Sequence, residues 1–391
     1  MSRTNFAMAG LALCLAGLLS VTSAQNADAQ AQKPALPIAP TPVPINAKPL
    51  AKPGDKMMYG IYTITKIGDG AYDFTDADTV PRDAGVPQGS DMYLLVGPKS
   101  ALLIDLSNDY VQGMKGSPTR GSADLKPRPN VAAELRNLVF GLAGKRHVDV
   151  ALTHDHPDHI GMTSAFVNQP QATLWVSELE TLAGLKRETG EDPSVYKRFK
   201  PGEKIFDLGG GRIINTFYSR GHTPGSTTYL DKKEGLVFVG DAWSVGWGIA
   251  LNSVEEVTEF ASDSQKVNAY IMANFTPYER YALKVFPAHS RYFGTRVPSS
   301  QTIPYYDAGY LDWRFMQEMS LAANGVLKGL WTKPGSGMEA VCSRNGTPAA
   351  PVAPADQRCT FVYGTGGVSM PLSMAYEAAG LKAPADGKLP Q

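Results

Sequence analysis

The sequence predicts an α+β fold in which two β-sheets pack together and helices cover their outer faces. Strand-like segments come first along the chain, and strands then alternate with helices in two successive groups. This order favours two sheets with outer helices over a single all-parallel sheet. Hydrophobic residues make up 43% of the 391 residues and charged residues only 19%. The chain can therefore bury a large core.

The first group of elements begins near Met58. "YGIYTITKI" (59–67) alternates like a half-buried strand. "DMYLLVGPKSALLIDLS" (91–107) has two apolar runs around a turn, which predicts a hairpin. "NVAAELRNLVFGLAG" (130–144) has helical periodicity. "HVDVALTH" (147–154) is then an apolar strand that leads into a loop rich in histidine.

The second group follows the same alternation. Three strands are expected at "RIINTFYS", "STTYL" and "LVFVGDA". A long helix over 253–274 follows, then a strand at "ALKVFPAHS" (282–290) and a second long helix over 306–329. After residue 331 the pattern weakens into a Pro/Ala loop, with one short strand at "TFVYG" (360–364).

Residues 1–24 are expected to be a cleaved signal peptide. Arg3 precedes an apolar run over 6–21, and "TSA" (22–24) has the small residues of a cleavage site. The run is shorter than the roughly 20 apolar residues of a membrane span, so we expect no stable membrane anchor. Residues 25–56 are rich in Pro and Ala and predict a disordered linker. The expected location is therefore periplasmic or secreted.

Removal of the signal would leave Cys342 and Cys359 as the two cysteines of the chain. Two cysteines in an exported protein suggest one disulfide, with two separate thiols as the alternative. Lysine plus arginine and aspartate plus glutamate number 37 each. This neutral balance gives no electrostatic argument for nucleic acid as a partner.

Histidines are concentrated in one loop. Three of the six lie in "THDHPDHIG", at His154, His156 and His159, with Asp158 beside the last. Histidine is the commonest metal ligand. On a tight loop after a strand, alternate residues can converge on one metal, and adjacent residues then point toward a second. The loop therefore predicts metal binding.

Further ligands are found where other predicted strands end. His222 lies in "GHTPGS", Asp241 in "GD" and His289 in "AHS". Together with the histidine loop they make five histidines and two aspartates, which could form two sites with a shared carboxylate. The remaining histidine, His147, is expected to be an ordinary residue at a strand start.

These motifs, in this order, resemble the metallo-β-lactamase superfamily of metal-dependent hydrolases. The resemblance implies a four-layer αββα sandwich over 57–330, with 331–391 as a C-terminal extension. It also implies two divalent metal ions, with Zn²⁺ expected, and a shared ligand at Asp241. The implied ligands of the first metal are His154, His156 and His222, and those of the second are Asp158, His159 and His289.

The same resemblance suggests a mechanism. A hydroxide held between the two metals would attack the substrate, and Asp158 would act as the catalytic residue that orients it and shuttles a proton. Asp105, at the end of a strand, would contact the histidine loop without binding metal and fix the tautomers of its imidazoles. Tyr110, Trp243 and Trp247 are candidates for the wall of the substrate pocket, but they could equally be packed anchors of their loops.

The substrate is expected to be a small molecule with an ester, lactone or related bond. Lactamase members of the superfamily usually carry cysteine or serine where Asp241 stands, and the glutathione-thioester hydrolases and RNA-processing members are mostly intracellular. The alternatives are a β-lactamase-like amidase, a sulfur oxygenase with one iron, and a non-catalytic binding module. The sequence does not indicate an oligomeric state.

Overall fold

The structure is a computed structural model that describes residues 50–76, 90–113, 125–128, 130–243, 249–289, 310–344, 347–348 and 357–383. The expected signal peptide, most of the linker and Trp247 lie outside these residues. Of the helices in the described ranges, none is long and apolar enough to cross a membrane.

The first sheet contains eight strands that follow one another in chain order. They are β1 (Lys56–Tyr59), β2 (Tyr62–Gly68), β3 (Ala71–Asp76), β4 (Met92–Val96), β5 (Ser100–Ile104), β6 (His147–Ala151), β7 (Ala172–Ser177) and β8 (Tyr196–Phe199). The predicted hairpin is the antiparallel pair β4 and β5, whereas β5 to β8 pair in parallel. Helix α1 (Val131–Ala143) connects β5 to β6 and packs against both.

The second sheet contains five strands in the order β14, β12, β11, β10, β9. They are β9 (Ile205–Gly209), β10 (Arg212–Tyr218), β11 (Thr227–Asp231), β12 (Leu236–Gly240) and β14 (Lys284–Pro287). The three strands predicted from "RIINTFYS", "STTYL" and "LVFVGDA" are therefore present as β10, β11 and β12. The long helix α4 (Val254–Asn274) lies between β12 and β14 in the chain and begins at the N-cap Ser253.

Apolar side chains from both sheets meet in a core between them. The first sheet supplies Ala71, Tyr93, Leu95, Leu102, Ile104, Ala151 and Phe199, and the second supplies Phe206, Leu208, Ile214, Tyr229, Leu236, Phe238 and Phe286. Aromatic contacts such as Tyr93 with Phe238, at 4.8 Å between ring centroids, cross the interface. With helices on the outer faces, this arrangement is the predicted αββα sandwich.

A second core covers the other face of the second sheet. It contains side chains of α4, α6 (Trp313–Leu327) and a four-stranded sheet. The strands of that sheet, in spatial order, are β13 (Ile249–Ala250), β19 (Gly366–Pro371), β18 (Arg358–Tyr363) and β15 (Met338–Val341). Phe361 and Val368 of the C-terminal extension share this core with Phe260 and Met316. The extension thus completes the outer layer of the sandwich.

The described residues also form shorter helices and strands. They are α2 (Pro157–Ile160), α3 (Leu182–Thr189), α5 (Pro277–Ala282), α7 (Leu372–Ala378) and the paired strands β16 (Ser343–Arg344) and β17 (Thr347–Pro348). The predicted disulfide is also present, between Cys342 and Cys359. Strands β15 and β18 are antiparallel with Val341 opposite Thr360, so the next step along both strands brings the two cysteines together.

A buried ion pair ties the two sheets together at one edge. Arg212 at the start of β10 donates from Nε to Asp231 Oδ2 at 2.7 Å, and both residues are buried. The same guanidinium donates from Nη1 to two backbone oxygens of the first sheet, that of Asp69 in the turn after β2 and that of Val96 at the end of β4. Removing one partner of a buried pair leaves an uncompensated charge.

We therefore expect Asp231→Ala to lower the free energy of unfolding by about 3–5 kcal/mol, measured by denaturant titration. The matched control is Asp207→Ala, because Asp207 pairs with Lys99 on the surface of the same sheet. Its effect should be about 1 kcal/mol or less. Equal effects of the two substitutions would contradict a special role for the buried pair.

Candidate metal centre

The seven residues that the sequence marks as metal ligands lie together where four loops leave the two sheets. The histidine loop follows β6, His222 follows β10, Asp241 follows β12, and His289 follows β14. Loops at strand ends are held by a rigid scaffold and commonly carry functional groups. The sandwich therefore gathers ligands that are up to 135 residues apart in the chain, from His154 to His289.

A proline divides the histidine loop into two parts. Pro157 occupies the first position of α2, where its missing N–H costs nothing. His156 before it is extended, with φ −72° and ψ 149°, as residues before proline prefer. The backbone thus changes from extended to helical between His156 and Asp158. This change directs the first two histidines to one cluster and the next two ligands to another.

The first cluster consists of His154, His156, His222 and Asp241. Each side chain offers one ligand atom, and these atoms all lie within 4.8 Å of one another. His222 Nε2 lies 3.0 Å from His156 Nδ1 and 3.6 Å from Asp241 Oδ2. Such a set of nitrogen and carboxylate atoms around one point can hold a divalent metal ion.

The second cluster consists of Asp158, His159 and His289, whose ligand atoms also lie within 4.8 Å of one another. His289 Nε2 is 3.3 Å from Asp158 Oδ2 and 3.2 Å from Asp241 Oδ1. His159 Nε2 is 3.5 Å from Asp241 Oδ2. The Asp241 carboxylate therefore contacts residues of both clusters and lies between them.

One buried carboxylate orients a histidine in each cluster. Asp105 accepts hydrogen bonds from the backbone N–H of Thr153 at 2.7 Å and from its hydroxyl at 2.8 Å. Asp105 Oδ2 also lies 2.9 Å from His159 Nδ1. Because a carboxylate only accepts, Nδ1 of His159 carries the proton. Asp105 has φ +63°, a left-handed conformation that aspartate tolerates better than most residues.

The hydroxyl of Thr153 passes this orientation on to His154. Thr153 Oγ1 lies 3.0 Å from His154 Nδ1. Its single hydrogen is donated to Asp105, so Nδ1 of His154 must be the donor to Thr153. In their neutral forms, His154 and His159 therefore carry the lone pair on Nε2. Both Nε2 atoms are buried and have no hydrogen-bond partner among the described residues, which fits atoms placed to bind a cation.

Electrostatics keep the first cluster in the protonation state that a metal needs. Burial, reinforced by the neighbouring histidines, holds the pKa of His154 well below its usual value. Burial likewise lowers the pKa of His222 to about 4. Burial raises the pKa of Asp241, but the charges of His289 and His159 outweigh it and hold that pKa well below the ordinary value. The imidazoles are thus neutral and the carboxylate ionised near pH 7.

The second cluster attracts positive charge. Burial lowers the pKa of His159, but the carboxylates of Asp241, Asp158 and Asp105 outweigh it and raise the pKa to about 10. For Asp158, burial raises the pKa, and the charges of His159 and His289 outweigh it and lower it to about 2. Three carboxylates around one buried imidazole favour a bound cation, either a proton or a metal ion.

Three other residues singled out in the sequence, His147, Trp243 and Tyr110, lie apart from the clusters. His147 is half exposed at the start of β6, and its Nε2 lies 2.9 Å from Thr173 Oγ1. The indole of Trp243 is fully buried, donates to Thr228 Oγ1 and packs against Phe260, so it is an anchor in the core and not part of a pocket wall. Tyr110 is buried and hydrogen-bonded to Asp76.

Sequence reasoning missed two residues that contact the ligand loops. Thr153 directly precedes His154, so its position at the start of the histidine motif could have identified it. Glu180 is 2% exposed and accepts a hydrogen bond from Thr223, next to His222. Burial, with the charge of Asp155, raises the pKa of Glu180 to about 8. No pattern in the sequence marks Glu180, because it lies 43 residues before its partner.

Comparison with known proteins identifies the fold. The family model described as "Metallo-beta-lactamase superfamily" matches residues 85–246. Residues 85–246 belong to the metallo-β-lactamase superfamily. The matched span includes the histidine loop, His222 and Asp241, and His289 lies beyond it. The family and the αββα sandwich expected from the motifs are therefore confirmed.

Among curated proteins, the chain is similar to the uncharacterized protein YobT of Bacillus subtilis (strain 168), with 29% identity over 123 residues. That match covers 28% of this chain and about half, 52%, of the relative. Similar solved structures include the metallo-beta-lactamase FIM-1 from Pseudomonas aeruginosa in its mono-zinc form (13% identity, 68% of this chain and 96% of that chain, TM-score 0.44). Another is a metallo-beta-lactamase from Pontibacter korlensis (16% identity, 66% and 95%, TM-score 0.43).

The hydrogen bonds from Asp105 through Thr153 to His154 predict that the Thr153 hydroxyl is needed for tight metal binding. Thr153→Val keeps the shape of the side chain but removes the hydroxyl that fixes the His154 tautomer. We expect metal affinity to fall about 10–100-fold, as for other groups that orient metal-bound histidines, measured by competition with a chromophoric chelator. Thr173→Val, which removes the hydroxyl next to His147, is the control and should leave the affinity unchanged. An unchanged affinity in Thr153→Val would contradict the tautomer argument.

Proposed function

We propose that this chain is a hydrolase that binds two divalent metal ions and cleaves an ester, lactone or related bond in a small molecule. The observation that carries the proposal is the position of Asp241. Its Oδ1 lies 3.2 Å from His289 of the second cluster, and its Oδ2 lies 3.6 Å from His222 of the first. A carboxylate with two oxygens can serve both positions and set the distance between them.

Each cluster then supplies the ligands of one metal, with Asp241 shared. His154, His156 and His222 hold the first ion. Asp158, His159 and His289 hold the second. Imidazole and carboxylate donors are those of zinc hydrolases, so we propose Zn²⁺ in both positions. When bound, such ions act as Lewis acids on the substrate oxygen and lower the pKa of water to about 7.

The protein's own residues then orient water and move its proton. The Asp158 carboxylate is ionised near neutral pH and is 25% exposed, so water can reach it. Its Oδ2 lies toward His289 and His159, so we assign Oδ1 to accept the proton of the attacking water. The water oxygen bonds to the carbonyl carbon and the carbon–oxygen bond of the ester breaks. The proton passes from Asp158 to the leaving alcohol.

We also propose that the protein acts outside the cytoplasm, in the periplasm or after secretion. The support is the disulfide between Cys342 and Cys359, since such bonds persist in oxidising compartments. The predicted signal peptide over 1–24 points the same way.

A substrate panel tests the reaction class. The metal-loaded protein is assayed with a lactone, a phosphotriester, a thioester and a β-lactam, and the chelator-treated protein is the control. We expect hydrolysis of the lactone or a related ester to exceed that of the β-lactam, because Asp241 replaces the cysteine or serine usual in lactamases. A preference for the β-lactam, or no hydrolysis of any substrate, would contradict the proposal.

Asp241→Ala tests the shared carboxylate. We expect lower occupancy of the second metal, and hydrolysis reduced by about 10²-fold or more, because both ions set the geometry of attack. Circular dichroism should show an intact fold, since the cores do not depend on this side chain. His147→Ala is the matched control and should barely change activity. Full activity with both metals bound in Asp241→Ala would refute the binuclear proposal.

A further inference from the structure

The segment between β7 and α3, together with the start of α3, contacts both loops that supply the histidines of the first cluster. Glu180 in this segment is 2% exposed, and its Oε1 accepts a hydrogen bond from Thr223 Oγ1 at 2.6 Å. Thr223 directly follows His222 in the chain. The buried carboxyl group of Glu180 therefore acts on the residue next to a proposed metal ligand.

The loop after His222 is shaped to bring Thr223 against Glu180. The backbone N–H of Thr223 donates to Ser226 Oγ at 3.1 Å, and the two hydroxyls lie 2.8 Å apart. A Cβ on Gly225 would lie 2.5 Å from Cγ of Glu180 and 2.7 Å from its Cδ. Only glycine at 225 lets the backbone approach the Glu180 side chain this closely, which explains the second glycine of "GHTPGS".

Helix α3, which follows this segment, lies against the histidine loop. Thr181 caps α3 by accepting from the backbone N–H of Gly184 at 2.9 Å. A Cβ on Gly184 would lie 2.4 Å from Oδ2 of Asp155, which stands between His154 and His156. Arg198 on β8 donates to the backbone oxygen of Glu180 at 2.6 Å and anchors the segment. The segment and the start of α3 thus pack against both the histidine loop and the loop that carries His222.

We propose that Glu180 is a positioning residue for the first metal: by holding Thr223, it sets His222 relative to His154 and His156. The proposal rests on the metal binding proposed above. Glu180 is not itself a ligand, and it acts through a neighbour of one. Groups that orient metal ligands typically change metal affinity by 10–100-fold when removed.

The test measures metal binding in three variants of the full chain. Glu180→Leu removes the acceptor, Glu180→Gln keeps an oxygen that can accept from Thr223, and Thr223→Val removes the donor. Zn²⁺ affinity is measured by competition with a chromophoric chelator, and Co²⁺ loading gives an absorption spectrum sensitive to ligand geometry. Glu178→Leu is the control, because Glu178 is exposed on the same segment and bonds Tyr218.

We expect Glu180→Leu and Thr223→Val to lower the affinity for the first metal ion by about 10–100-fold and to change the Co²⁺ absorption spectrum. Glu180→Gln and Glu178→Leu should match the wild type. If Glu180→Leu does not fold, Thr223→Val decides the question, since it removes the same hydrogen bond with a smaller change. Wild-type affinity and spectrum in Thr223→Val would overturn the proposal.

The outcome for the wild type separates this proposal from the proposed function. A wild-type protein that binds neither Zn²⁺ nor Co²⁺ overturns the metal-binding function itself. A wild type that binds both ions, beside variants with unaltered binding, overturns only the role of Glu180.

Discussion

The geometry of the site depends on the hydrogen bonds accepted by one buried carboxylate, that of Asp105. It fixes His159 directly and His154 through the hydroxyl of Thr153. One of these histidines belongs to each ligand cluster. The two clusters are therefore coupled through a shared support, in addition to the Asp241 carboxylate that lies between them. A buried carboxylate of this kind is stable only with its donors in place, so the loop has little freedom.

The sandwich makes this support possible by holding strands of both sheets at fixed positions. Buried hydroxyls join the sheets next to the site. Tyr229 of the second sheet donates to the backbone oxygen of Leu152, just before the histidine loop. Tyr93 of the first sheet donates to the backbone oxygen of Pro287, just before His289. Each sheet thus positions a ligand-bearing segment of the other, and close packing of the shared core keeps the ligand loops aligned.

Much of the fold and the clustering of the seven candidate ligands could be predicted from the sequence because they leave local signals. Scarce histidines concentrated after a strand, and polar residues at later strand ends, mark the side chains that the structure brings together. Alternating apolar patterns mark β10, β11 and β12. The cysteine pair can be predicted because two cysteines in a chain expected to be exported have few other roles, although their strand register is not evident from the sequence.

Other features leave no local signal. The contact of Glu180 with Thr223 appears only when β7 and the loop after β10 are brought together. Trp243 next to Asp241 was open to two interpretations, because a tryptophan beside a ligand can line a pocket or fill a core. Burial against Phe260 decides it. The C-terminal extension lacks a strong pattern in the sequence, and its strands share a core with α4, α6 and the second sheet.

The most direct test of the central claim is anomalous diffraction at the zinc absorption edge, from crystals of protein purified without chelators. We expect two anomalous peaks on opposite sides of the Asp241 carboxylate. One peak should lie among His154, His156 and His222, and the other among Asp158, His159 and His289. A single peak, or none, in crystals grown with excess zinc would contradict the central claim.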